Sequence, residues 1–466
     1  MKKFPIFILL FIKGLIIYSQ VPTEFVNFLN KNNLAHATVS FKAVELSTKK
    51  TVISFNDNIS LTPASNMKII TTATALEIFG HRFCFETPLF YDGFIKEATL
   101  FGNLYIKGNG DPTLGSEFTP NDKENFLIEW LSGINRAGIR KISGNIVVLD
   151  QAFGYEGVSR KWLWEDMGNY YAPGIFGISA FDNMFRVFLK STTSDRETTV
   201  LFTEPKINNL QLTNEIKASE DMSTDNAYIF GLPFAYNMRL YGTIPQYQSS
   251  FTVKGAIPDP GLFLAQYFQD YLQKNGITIE GEATTYRLSP VTPNEENILS
   301  KFRSIDLASI VKIINVSSNN QYAEYLYKVL TILDLTDIPE FWRKKGLNTD
   351  ALFMYDGSGI APQNAISAGF LVDLLIYMNT QSENSSAFYF SLPVAGREGT
   401  VASFLRNTSL AGKARLKSGS MSNVQSYSGY IESKGKRYAV SLLINNFTGK
   451  RNELRKDIER LFNNIF

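Results

Sequence analysis

Histidine is almost absent from this chain. Among 466 residues there are two, His36 and His81, and a histidine-rich metal site or a Ser-His-Asp triad would have to draw on one of them. His36 stands at a strand entrance and His81 just past a helix stop, so capping or surface roles are the simpler reading of both. A hydrolase built on this chain would more naturally use lysine as its base. Cysteine is scarcer still. The single Cys84 cannot close an internal disulfide and lies too far from the N-terminus to carry a lipid anchor, which leaves a core position as its simplest place. An excess of one charge is also missing: 46 Lys and Arg against 44 Asp and Glu give a net charge of +2. That balance implies neither a basic field for nucleic acid nor an acidic tail. No cofactor or metal is implied, and no internal repeat or low-complexity tract occurs.

What is present is enough apolar material for more than one core. The hydrophobic fraction is 44% and the aromatic fraction 13%, while 466 residues exceed the roughly 250 to 300 at which a single core stops growing. Two or three structural units are expected. Lys2 and Lys3 precede an apolar run from Phe4 to Ile17, followed by Ser19 and Gln20, the pattern of a cleavable signal peptide over residues 1–20. Lys13 interrupts that run and leaves it short of the roughly 20 apolar residues that a spanning helix needs. The mature protein is therefore expected to be exported, periplasmic or cell-wall-associated, and at most peripherally attached to a membrane.

Along the chain, Phe25 to Asn30 has a helical pattern, Ala37 to Leu46 alternates as a strand, and a second strand follows at Thr51 to Phe55. A helix runs from Pro63 to a stop at Gly80. Between about Phe85 and Pro290, short alternating runs punctuated by Gly, Pro, Asn and Asp predict β-rich inserted material. Helical patterns return from Ile305. The chain then ends with strands at Val424 to Glu432 and Tyr438 to Asn445 and an amphipathic helix from Arg451 to Phe466.

Three short motifs can carry chemistry. Ser65-x-x-Lys68 places an ammonium beside a hydroxyl on one helix face, because residues three apart are neighbours there. Burial can lower a lysine's pKa until it accepts a serine proton. Ser47/Lys50, Ser309/Lys312 and Ser433/Lys436 share the spacing. Ser65 is favoured by its place at a helix start, where backbone N–H groups and the dipole favour developing negative charge. The second motif is Ser317-Ser318-Asn319-Asn320, in which two Ser-x-Asn frames overlap and a polar helix cap is the competing reading. The third is Lys417-Ser418-Gly419-Ser420, the only Lys-[Ser/Thr]-Gly, on a predicted strand. Its glycine would let a ligand backbone approach, and its lysine and hydroxyl suit a carboxylate; an edge-strand lysine that discourages aggregation is the alternative.

Ser-x-x-Lys, Ser-x-Asn and Lys-Thr-Gly in this order form the motif set of β-lactamases and penicillin-binding proteins. Seven ordered stretches extend the match across nearly the whole mature length. They are Pro63-Ala64-Ser65-Asn66-Met67-Lys68, Gly102 to Leu114, Trp164 to Tyr171, Asn320-Gln321-Tyr322-Ala323-Glu324, Asp356-Gly357-Ser358-Gly359, Leu392 to Thr400 and Lys417-Ser418-Gly419. On these stretches the chain resembles the class C low-molecular-mass penicillin-binding proteins, the D-alanyl-D-alanine carboxypeptidase/endopeptidase family. The resemblance selects Ser318 and Asn320 as the second motif's pair. It departs from the family at Ser418, where threonine is usual, and at Asn319, where aspartate is frequent.

The resemblance implies an α/β (α+β) fold, a penicillin-recognising domain with a five-stranded antiparallel sheet flanked by helices. That domain would span residues 21–85 and 295–466, with an inserted domain II over 86–184 and 255–294 and an inserted domain III over 185–254. It implies Ser65, Lys68 and Ser318 as catalytic residues and Asn320, Lys417, Ser418 and Ser420 as substrate-binding ones, with no metal. The implied partners are peptidoglycan stem peptides and cross-links, with β-lactams as inhibitors. A β-lactamase or esterase on the same fold and a non-catalytic wall-binding relative are the alternatives. Turn, packing and substrate-contact roles remain open for Asp111, Asp166 and Asp356.

Overall fold

The computed structural model describes residues 22–120, 122–221 and 225–466, so the expected signal peptide lies outside the described residues. One five-stranded sheet has the order Thr51–Phe55, Thr38–Glu45, Lys436–Asn445, Val424–Ser433, Ala414–Met421, with every neighbouring pair antiparallel. Lys434 and Gly435 turn the central hairpin with φ of 52° and 73°. Two residues at positive φ match the twist of the flanking strands. Val424 to Tyr430 is buried on successive residues, because both faces of the sheet are covered.

On one face lie the helices Met67–Phe79, Leu307–Ser317, Asn320–Lys328 and Ala368–Thr380. The other face is closed by the Thr23–Leu29 and Arg451–Ile465 helices. Leu454, Ile458, Leu461 and Phe462 form the buried stripe of the last helix, at the i, i+4, i+7, i+8 spacing of an amphipathic face. The Met67–Phe79 helix is buried from Met67 through Leu76 and stops at Gly80, whose φ of 76° needs no Cβ to avoid. A helix apolar on all sides belongs in a core, and this one carries Lys68 with it.

The inserted stretch contains a second five-stranded sheet, ordered Ala283–Thr285, Ile146–Leu149, Leu104–Lys107, Glu86–Tyr91, Asn297–Arg303. Asn297–Arg303 pairs antiparallel with Glu86–Tyr91. That strand, just past the boundary expected at 295, has its backbone groups satisfied by the sheet of the inserted stretch. Two helices were not expected in this β-rich region, Asn125–Arg136 and Pro260–Lys274. Each buries a 3.6-period stripe, Phe126, Trp130 and Ile134 in the first, Phe263, Leu264, Phe268 and Leu272 in the second. The second also has a start signal: Pro260 at its first turn behind Asp259, whose side chain accepts from the Leu262 N–H at 3.0 Å.

Residues 184–256 add two three-stranded sheets, Thr199–Glu204, Met184–Lys190, Phe251–Ala256 and Gln211–Ser219, Asn237–Pro245, Asn226–Phe230. Their buried residues join those of the second sheet in one continuous apolar cluster. Cys84 departs from its expected core position: it is half-buried, between Phe83 and Phe85, whose rings meet edge-to-face at 5.0 Å, and the core place in this segment goes to Phe85. Among the described residues no helix is long and apolar enough to cross a membrane.

Candidate active site

The three motifs come together where the outer strand of the first sheet meets the start of its buried helix. Ser65 sits in a short 3-10 turn, Ala64–Asn66, leading into the Met67–Phe79 helix. Gly419 makes the junction possible: a Cβ there would lie 2.5 Å from the Pro63 carbonyl oxygen and 2.3 Å from Ser426 Oγ. The close approach expected of a ligand backbone at Gly419 is made by the chain's own Pro63–Asn66 segment. Gly359 plays the same part on the other side. Its φ is 84°, and a Cβ would stand 1.9 Å from the Ala64 carbonyl oxygen.

Lys68 has no solvent exposure. Its Nζ donates to Ser65 Oγ at 3.0 Å, Asn320 Oδ1 at 2.6 Å and the Ser358 carbonyl at 2.6 Å, so three acceptors meet the three N–H positions of an ammonium. Burial brings its pKa down to about 7, against the opposing pull of the Asp356 and Glu324 carboxylates. A lysine poised there can take a proton from the hydroxyl beside it. The other Ser-x-x-Lys candidates lack this pairing: Ser47 donates to Glu45, and Ser433 to the Phe466 carbonyl.

Ser318 occupies the link between two helices in a left-handed conformation, φ 56°. Its Oγ accepts from Lys417 Nζ at 3.0 Å, and Lys417 also donates to the Ser418 carbonyl at 2.7 Å. The capping expectation for this motif holds at Asn319, whose side chain accepts from the Tyr322 N–H at 2.9 Å. Asparagine caps about as well as aspartate, so that departure leaves the local structure unchanged. Asn320 faces the site and also donates to the Tyr171 carbonyl at 2.8 Å. Lys417 is fully buried with its pKa well below the ordinary lysine value, first by desolvation and second by the nearby Lys68. Ser418 Oγ hydrogen-bonds Thr400 Oγ1 at 2.8 Å.

A cleft of about 590 Å³ opens over these groups. Ser65, Gly359, Ile360, Pro362, Asn320 and Ser420 line it. The inserted stretch adds Leu163, Glu165, Asp166, Tyr171, Tyr228 and Tyr241 to the same lining. Asp166 accepts from the Tyr171 hydroxyl at 3.0 Å, and partial burial raises its pKa. The three aspartates left open by the sequence thus separate. Asp111 holds a turn, accepting from the backbone and hydroxyl of Thr113 at 2.8 and 2.7 Å. Asp356 is internal scaffolding, accepting from Gly359 N, Ala361 N, Asn364 Nδ2 and Trp162 Nε1. Asp166 alone of the three faces the cleft.

Several contributors had no role assigned to them from the sequence. Ser358 gives Lys68 only its backbone carbonyl, a group without a side-chain signature. Glu324 accepts from the Ser358 N–H at 2.7 Å, and burial beside Asp356 raises its pKa to about 8. Thr400, Tyr228 and Tyr241 come from segments whose distance along the chain from Ser65 hides their proximity.

Among known proteins, the chain is similar to a D-alanyl-D-alanine carboxypeptidase of an Actinomadura species, at 26% identity over 87% of this chain and 77% of that protein. Penicillin-binding protein 4 of Haemophilus influenzae superposes with a TM-score of 0.80 at 20% identity, covering 94% of this chain and 98% of that one. The same protein in complex with a β-lactam superposes at 0.74, over 92% of this chain and 96% of that one, again at 20% identity. A predatory endopeptidase of Bdellovibrio bacteriovorus superposes at 0.54 with 16% identity over 92% and 93% of the two chains. The D-Ala-D-Ala carboxypeptidase 3 (S13) family matches residues 24–464, all but the ends of the sequence; the chain belongs to that family and is a serine-type D-alanyl-D-alanine carboxypeptidase.

Proposed function

We propose that the chain cleaves peptidoglycan stem peptides through an acyl-enzyme on Ser65, both trimming terminal D-alanine and opening D-alanyl cross-links. The observation that carries the assignment is the 3.0 Å contact of Ser65 Oγ with a buried lysine whose pKa is about 7. Neutral Lys68 takes the Ser65 proton, and Oγ attacks the carbonyl of the penultimate D-alanine. The oxyanion develops between the backbone N–H groups of Ser65 and Ser420. As the C–N bond breaks, Ser318 passes a proton to the leaving amine, and water then hydrolyses the ester. Asn320 aligns the substrate amide, while Lys417, Ser418 and Thr400 receive the terminal carboxylate.

In this reading the catalytic unit is residues 21–85 together with the chain beyond Arg303, and the insertion supplies the far wall of the cleft. A wall that carries Glu165 and Asp166 favours an extended substrate with a free amino group, as a cross-linked diamino-acid peptide has. The penicillin-binding and endopeptidase names of similar structures agree with β-lactam acylation and with cross-link cleavage. Export to the periplasm or cell wall belongs to the same reading. Chromatography of muropeptides from digested peptidoglycan tests it: cross-linked dimers should fall and tetrapeptide monomers rise. Shortened pentapeptides with unchanged dimers would leave a carboxypeptidase alone.

A further inference from the structure

The sheet of Gln211–Ser219, Asn237–Pro245 and Asn226–Phe230 buries only one face. Ile216, Ile229, Met238 and Leu240 point into the core. Strand alternation puts their neighbours outside, and the register sets Tyr228 opposite Tyr241, Phe230 opposite Arg239, and Tyr241 beside Glu215. The two tyrosine rings stack with centroids 5.7 Å apart and 26° between planes. Trp164, 65% exposed, meets Phe230 edge-on at 5.3 Å. Arg239 is paired with Glu215 at 2.5 Å and lies over the Tyr241 ring at 5.7 Å.

This aromatic strip continues the cleft. Tyr228 and Tyr241 belong to both, and Trp164 stands in the chain between the wall residues Leu163 and Glu165. The core side of the sheet is complete without these rings, so their exposure is not a by-product of folding. Contiguous exposed aromatics beside a reaction cleft mark a contact surface.

We propose that the strip is a docking shelf for the glycan strand of peptidoglycan, seating N-acetylhexosamine rings while the attached stem peptide enters the cleft. The inference rests on the substrate class proposed above. Pyranose rings present apolar C–H faces that stack on tyrosine and tryptophan, and rim hydroxyls and acetamides suited to the Arg239–Glu215 pair. That pair cancels its own charge, which fits an uncharged polymer better than an anionic lipid surface or a charged peptide. Reach favours it as well. A tetrapeptide stem spans at most about 14 Å when extended, so the sugar bearing a stem held at Ser65 must lie against the surroundings of the cleft.

Binding is measured with an N-acetylglucosamine tetramer and, separately, with a free stem tetrapeptide, using the mature protein carrying Ser65→Ala so that nothing is consumed. Adding Trp164→Ala or Phe230→Ala should weaken the sugar about tenfold and leave the tetrapeptide within twofold. In the Ser65 protein, Trp164→Ala should leave the penicillin acylation rate unchanged. A sugar that does not bind, or binds all variants alike, overturns the shelf. Loss of tetrapeptide affinity instead makes the strip a peptide site. A protein that binds the sugar through these rings yet neither reacts with penicillin nor cleaves dimers would keep the shelf and defeat the hydrolase reading.

Discussion

The indole N–H of Trp162, on the inserted stretch, donates to the Asp356 carboxylate at 2.9 Å, on the loop that presents the Ser358 carbonyl to Lys68. Three more donors of that loop, Gly359 N, Ala361 N and Asn364 Nδ2, reach the same carboxylate. The insertion is therefore tied to the lysine beside Ser65 through one buried acid.

Trp162→Phe keeps the ring but removes one donor from a buried carboxylate, a loss of about 1.5 to 3 kcal/mol. Thermal unfolding should shift down accordingly, and penicillin acylation should slow, because the Ser358 carbonyl loses part of its restraint. An unchanged acylation rate with a lowered melting temperature would show the tie to be structural only.

The proposed acylation step uses Lys68 as the free amine, and the pKa of that lysine is about 7. Protonation below that value removes the base, so the second-order rate of penicillin acylation should fall about tenfold per pH unit below 7 and level off above it. Burial sets the midpoint first, and the Asp356 and Glu324 carboxylates, which raise the pKa, oppose it. A flat profile from pH 5 to 8 would remove Lys68 from the base role.

Among the described residues Lys417 has no carboxylate partner, and its ammonium is disfavoured by burial and by Lys68. A ligand carboxylate supplies the missing counter-charge and raises the pKa. Binding of a carboxylate-bearing ligand to the Ser65→Ala protein should therefore take up protons. Calorimetry in buffers of different ionisation heat reads this directly; identical enthalpies in all buffers contradict it. Lys417→Arg should remain impaired, since the wider guanidinium does not fit a site shaped for an ammonium.

Ser65→Ala deletes one oxygen from a half-buried side chain and should abolish covalent labelling by a fluorescent penicillin while shifting the melting temperature by no more than about 1 kcal/mol of stability. Labelling at the native rate would mean another nucleophile.

Much of the catalytic unit was legible because its elements state themselves locally. The Pro63–Gly80 helix has its stop glycine, the last hairpin its Lys434-Gly435 turn, and Arg451–Ile465 a clean amphipathic stripe. The insertion was harder to read. Its Asn125–Arg136 and Pro260–Lys274 helices are short periodic runs flanked by turn residues, and the edge strand Asn297–Arg303 takes its sheet from a partner some two hundred residues earlier, Glu86–Tyr91. In the site, Ser65, Lys68, Ser318, Asn320, Lys417 and Ser418 could be named because the motifs are local. Ser358 stood in a matched stretch without a role, and Tyr228 and Tyr241 were not singled out, since the use of a backbone carbonyl and a fold-dependent juxtaposition leave no mark in sequence.

Of the three groups that hold Lys68 Nζ, two are carbonyl oxygens and only the Ser65 hydroxyl can hand a proton onward. In the proposed mechanism the Ser65 proton therefore leaves across that one 3.0 Å contact, and esterification of the same oxygen leaves Lys68 held by Asn320 and the Ser358 carbonyl alone. The two remaining acceptors fix where the lysine stands while the ester lasts, so the position of the base does not depend on the group it has just deprotonated.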